Sequence, residues 1–95
     1  MYILDFHNLK PVHEVDEAIE EHRAFLARYI ADGTFLVAGA KVPRTGGIIV
    51  VNGIDRARLE AILAEAPFLQ RGSASCTVTE FGAKYAAPSL RSVVA

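Results

Sequence analysis

Two stretches of this chain are apolar without alternation, Phe35 up to Lys41 and Ile48-Ile49-Val50-Val51 after the Gly46-Gly47 pair. A strand with no polar face needs cover on both sides. Only two other stretches have helical period, and two helices can cover one face of a sheet. The second face must therefore meet something else, and that demand constrains the architecture more than any other feature.

The remaining elements follow from period and punctuation. Tyr2 to His7 alternates as a strand, with Tyr2, Leu4 and Phe6 on one face and Ile3, Asp5 and His7 on the other. Asn8 to Glu14, interrupted by Pro11, reads as a loop. A helix is predicted from Val15 or Asp16 to Asp32, ended by Gly33 in the left-handed conformation. Asp55 is a candidate N-cap for a second helix to about Glu65, with Leu59, Ile62 and Leu63 inward, Arg56 and Glu60 as an exposed i,i+4 pair, and Pro67 closing it. A last strand is predicted over Ser75 to Ala83 after a Gly72-Ser73 turn. The order β-α-β-β-α-β is the ferredoxin-like split βαβ arrangement of the α+β class. Residues 1–95 form one domain, with 84–95 as a C-terminal tail carrying Tyr85, Leu90, Val93 and Val94 without clear period. The open face is expected to pack on the same face of a second copy, giving a two-fold homodimer, unless the tail folds back over it.

Composition narrows the function classes. Of the 95 residues 52% are apolar, an excess for so short a chain that argues for a partner surface. A net charge of −1 leaves no basic stripe, so nucleic acid is not an expected ligand. The longest apolar run is far short of a membrane span and the N-terminus lacks a basic flank or cleavage-type sequence, so no membrane partner and a cytoplasmic location are expected. The single cysteine, Cys76, rules out an intrachain disulfide and a cysteine-rich metal site, and its place in a strand suggests packing more than nucleophilic chemistry. His7, His13 and His22 contain no i,i+4 pair and no clustered carboxylate completes a ligand set, so no metal is expected.

His22 carries the functional signal. Val15, Ile19, Leu26, Tyr29 and Ile30 recur at helical spacing, and His22 falls on that row, so an imidazole stands where a leucine would be expected. Burial lowers a histidine pKa and a neighbouring carboxylate raises it, which suits the group to proton transfer near neutral pH. The alternative is a core histidine with both nitrogens satisfied.

The chain resembles the YCII-related (YciI-like) family. The resemblance runs from Tyr2 to about Phe81 and rests on Pro11, His22-Arg23-Ala24-Phe25-Leu26, Gly33, Gly39, Val42-Pro43-Arg44-Thr45-Gly46-Gly47 and Pro67-Phe68. It implies a ferredoxin-like fold associating as a dimeric α/β barrel, with relatives that include muconolactone isomerase and a dehydrochlorinase of chlorinated hydroxyquinols. It also implies a helix histidine paired with an aspartate immediately before the Pro-Phe dipeptide, beside a pocket between helices and sheet. His22 matches the histidine, whereas the aspartate position is Ala66. Loss of that carboxylate should depress the imidazole pKa and loosen its orientation. Glu65 is adjacent but leaves a helix about a hundred degrees away.

Arg44, beside Gly46 and Gly47 where a backbone can approach a ligand closely, is a candidate to hold a carboxylate or enolate oxygen, or else a solvated turn residue. Phe68 is expected to line the same pocket. Asp5 would replace the missing acid only if its strand face looks toward the helices. His13 is read as surface, and Ser73, Ser75, Thr77 and Thr79 decide nothing. The acidic run Asp16, Glu17, Glu20 and Glu21 suits the first turns of its helix. Together these predict a small-molecule enzyme or enzyme relative, an isomerase or dehydrochlorinase-like lyase without a cofactor. His22 would move a proton on an aromatic, lactone or enol-type substrate. The competing expectation is a non-catalytic dimeric binding or accessory domain.

Overall fold

The computed structural model describes residues 1–93, so Val94 of the tail lies outside the described residues. Strands β1 (Tyr2–Asn8), β2 (Phe35–Ala40), β3 (Gly46–Val51) and β4 (Ala74–Glu80) form one sheet in the order β2-β3-β1-β4. Every neighbouring pair is antiparallel. The helices are α1 (Val12–Val15), α2 (Ile19–Ala31), α3 (Arg56–Leu63) and α4 (Pro67–Gln70). This is the ferredoxin-like α+β fold, with the helices on one face.

Strand alternation decides which residues meet the helices. In register, Leu4 lies opposite Ile49 and Tyr2 opposite Val51, while Phe35 faces Val51 from β2. All are buried against Phe25 and Tyr29 of α2 and Leu59 and Ile62 of α3. The Tyr2 hydroxyl donates to the Ile54 carbonyl at 2.8 Å, so this inward phenol carries no unpaired polar atom. Gly33 ends α2 at φ +79°, and the Asp55 carboxylate caps α3 by accepting from the Arg58 N–H at 2.8 Å. Arg56 and Glu60 pair along α3 at 2.9 Å.

Several boundaries differ from the sequence expectation. The first helical segment begins at Val12, earlier than Val15, because the Pro11 carbonyl accepts the N–H groups of Glu14 and Val15 and so opens α1. A 3₁₀ turn over Asp16–Ala18 then separates α1 from α2. On α2 the deeply buried residues are Phe25 and Tyr29, and Ile30, one step of about 100° beyond Tyr29, is 42% exposed. Pro67 closes nothing: it occupies the first turn of α4, where its missing N–H is no loss. Strand β4 stops at Glu80, not Ala83, because β1 is its one neighbour and Tyr2 pairs with Glu80.

The opposite face of the sheet carries Ile3, Asp5, Val37, Ile48, Val50, Thr77 and Thr79 by the same alternation. Among the described residues nothing covers it. Val37 is 59% exposed, and the tail residues Tyr85 and Leu90 are themselves exposed rather than packed as a lid. A second 3₁₀ segment, Pro88–Val93, buries no residue. No helix is long and apolar enough to cross a membrane among the described residues.

Candidate functional site

Between α2 and the β2-β3 end of the sheet the helix-covered face is hollow. The space exists because Ala38, Ala40 and Gly47 bring almost no side chain to the sheet surface where α2 presents Ile19, His22 and Leu26. The resulting cleft has a volume of about 220 Å³. That is smaller than the roughly 300–1,000 Å³ of drug-sized sites and suits a compact ligand of about one ring. Its floor and walls are mainly apolar, with Asn8, His22, Arg23 and Arg44 as the polar groups. None of the described lining residues is acidic.

His22 lies on α2 in the row that faces this cleft. Its ring stacks on Phe68 with centroids 4.2 Å apart and planes 19° from parallel, and Phe25 tilts against it at 6.5 Å. Phe68 is placed by α4, whose start at Pro67 turns this ring inward beneath the imidazole. His22 is half-buried, and burial alone pushes it below the usual histidine value. No carboxylate among the described residues acts on it. The neutral imidazole, able to accept a proton, is thus the favoured form near neutral pH.

The candidate replacements for the missing acid are engaged elsewhere. Ala66 is buried, with its carbonyl accepting the N–H groups of Leu69 and Gln70 as α4 begins. Glu65 accepts the Tyr29 hydroxyl at 2.5 Å and pairs with Arg28 at 2.7 Å. Asp5 points to the uncovered face, away from the helices, where Lys41 Nζ lies 2.6 Å from its carboxylate and His7 Nε2 lies 3.5 Å away. That lysine holds the Asp5 carboxyl below the usual range. The condition for Asp5 to reach His22 is therefore not met.

Arg44 lines the cleft from the loop between β2 and β3 and is not a free surface arginine. Its guanidinium meets both oxygens of Asp16, at 2.8 and 3.4 Å. The loop beneath it is tied to β1: Asn8 Nδ2 donates to the Arg44 carbonyl at 3.3 Å and the Asn8 N–H to the Thr45 carbonyl at 2.9 Å. Gly46 and Gly47 both line the cleft. Gly46 also answers a structural demand, since a Cβ there would stand 1.7 Å from the Phe6 carbonyl oxygen. Sequence reasoning missed Asn8 and the Asp16 partnership, because each depends on the β2-β3 loop meeting a distant element, β1 for Asn8 and the 3₁₀ turn for Asp16. The small residues Ala38 and Ala40, read in the sequence only as part of a strand apolar on both faces, carried a signal of the hollow.

The remaining candidates contribute no further centre. His13 is exposed. Cys76 is half-buried and its thiol is pushed up to about 11 by burial, the behaviour of a packing residue. No group of three or more metal-ligating side chains occurs among the described residues.

In overall shape the chain is similar to 5-chloro-2-hydroxyhydroquinone dehydrochlorinase from Burkholderia phenoliruptrix AC1100, solved in complex with 2,5-dihydroxybenzoquinone. The TM-score is 0.70 at 16% identity, over 85% of this chain and 93% of that one. No curated protein matches in sequence. The family model for the YCII-related domain matches residues 1–82, covering every strand and helix that builds the cleft, and the chain belongs to that family.

Proposed function

We propose that the cleft binds a small aromatic or enol-type molecule and that His22 moves a proton on it. The observation that carries this reading is a partly buried, neutral-favouring imidazole, stacked on Phe68 in an apolar hollow that Arg44 also lines. His22 would take a proton from an acidic C–H or hydroxyl of the ligand, and Arg44 would hold the charge on the resulting enolate or phenolate oxygen. Returning the proton at another carbon gives an isomer. Alternatively, the electron pair expels a halide, which leaves as the anion, and the reaction is an elimination. Neither route needs a cofactor. The dehydrochlorinase of similar shape and its bound quinone support a ring-sized ligand.

The uncovered sheet face, with Ile3, Val37, Ile48 and Val50 on it, is proposed to pair with the same face of a second copy, producing a dimeric α/β barrel. The absence of an acid at Ala66 favours a second reading, a binding domain that holds its ligand without turning it over.

Binding of 2,5-dihydroxybenzoquinone and halide release from chlorinated hydroxyquinols separate these readings. The expected result is binding by wild type and a tenfold or greater loss in Ala38→Leu, whose added side chain fills the hollow. Turnover should disappear in His22→Ala while binding persists. Turnover unaffected by His22→Ala would overturn the proton-transfer role. Binding without turnover across a panel of quinols and lactones, with activity gained in Ala66→Asp, would select the binding-domain reading.

A further inference from the structure

Arg44 is the cleft cation best placed by its backbone, yet its guanidinium is already engaged. The two contacts to Asp16 leave the fork facing a carboxylate from its own chain. Asp16 stands in the 3₁₀ turn between α1 and α2, flanked by the lining residues Val15 and Ile19 but not itself part of the lining. The pair is half-open to solvent, with side-chain exposures of 50% for Arg44 and 39% for Asp16, so it is held weakly enough for another anion to replace it. The second guanidinium, Arg23, pairs with Glu20 at 2.7 Å where both side chains are largely exposed. The cleft therefore gathers two cations and an imidazole while each cation is balanced by an acid outside its lining.

We infer that Asp16 is a built-in competitor for the ligand's anionic group: the ligand takes Arg44 from Asp16, and the cleft selects an anionic ring over its neutral counterpart. This rests on the proposed role of Arg44 in holding the ligand. Asp16 holds the Nη1/Nη2 edge of the fork, so an incoming carboxylate or enolate that takes this edge has to displace it. The anchored loop keeps Arg44 near the cleft during the exchange, because the Asn8 contacts are made to its backbone and do not involve the guanidinium.

The test uses benzoate and its neutral counterpart benzamide, titrated calorimetrically into wild type, Asp16→Asn, Glu17→Gln and Arg44→Gln at low ionic strength, with 2,5-dihydroxybenzoquinone as a third probe. Glu17 is an exposed neighbour that pairs with no cation among the described residues, so its variant removes the same charge without releasing Arg44. The expected result is benzoate binding about two- to fivefold tighter in Asp16→Asn, the range an exposed ion pair can withhold. Benzamide should be unchanged, Glu17→Gln should shift less, and the gain should vanish in Arg44→Gln and shrink with added salt. Should melting show that Asn perturbs the turn, Asp16→Ser repeats the comparison. Benzoate affinity unchanged or weakened in Asp16→Asn, or matched by Glu17→Gln, would overturn the competitor role while leaving the cleft as a binding site. Failure of all three probes to bind wild type would overturn the site reading itself and the inference with it.

Discussion

The helix-covered face of the sheet is filled at one end and hollow at the other, although β2, β3 and α2 contribute to both. At the filled end Phe35 and Val51 meet Phe25, Tyr29 and Leu59, and aromatic rings interlock with centroids 5.2 to 5.6 Å apart. At the hollow end Ala38, Ala40 and Gly47 face Ile19, His22 and Leu26, and about 220 Å³ stays open. A change of residue size along two strands, with α3 adding Leu59 to the filled end, separates core from cleft. The interlocked aromatic rings stand at one end, and the groups able to do chemistry stand at the other.

Truncation should separate the two ends most sharply. Leu59 is fully buried, so Leu59→Ala is expected to cost about 2–5 kcal/mol in denaturant unfolding. Leu26→Ala, beside an existing hollow, should cost clearly less. Equal costs would mean that the hollow end contributes to folding as the core does. The paired glycines sharpen the contrast within one strand. Gly46→Ala places a methyl against the Phe6 carbonyl and is expected to cost about 1–3 kcal/mol, as overpacking does. For Gly47→Ala the nearest atom is the Gly39 carbonyl oxygen at 3.3 Å, and a smaller effect should follow, read from the shift in denaturation midpoint.

The smallest expected effect is the pH response of His22. Burial lowers its pKa in the folded chain from 6.5, so the unfolded chain binds more protons between the two values. The stability tied to this group is therefore present above about pH 6.5 and lost as pH falls through the folded value. His22→Leu should remove that slope, so the melting-temperature difference between variant and wild type should move in the variant's favour on acidification. Carboxylates such as Asp16 and Asp32, whose pKa values folding also lowers, are common to both proteins and drop out of the difference. A difference that stays flat with pH, or a His22 NMR titration at or above 6.5, would break the assignment of a desolvated imidazole.

Elements marked by short-range signals were legible in the chain. The alternation of Tyr2 to His7, Gly33, the Asp55 cap and the Arg56-Glu60 pair each depend on neighbours within a few residues, and each has its predicted local role. Phe25 was missed because period alone does not locate the centre of an apolar stripe, and α4 because Pro67 can open a helix as readily as follow one. At the site, the position of His22 on α2 was legible, but its stacking on Phe68 joins residues 46 positions apart.

The sequence by itself determined the order of the four strands and the two main helices, the α+β class, the place of His22 on an inward helical row and the lack of an aspartate at position 66. These depend on side-chain period, backbone preference and residue identity, which act over a turn or a strand. Only the tertiary structure decided that Asp5 faces away from His22, that Glu65 is committed to Tyr29 and Arg28, and that Arg44 is held by Asp16. Each is a pairing between separate elements. Strand register and helix docking settle such pairings by bringing one charge within about 4 Å of another, a distance that spacing along the chain does not encode.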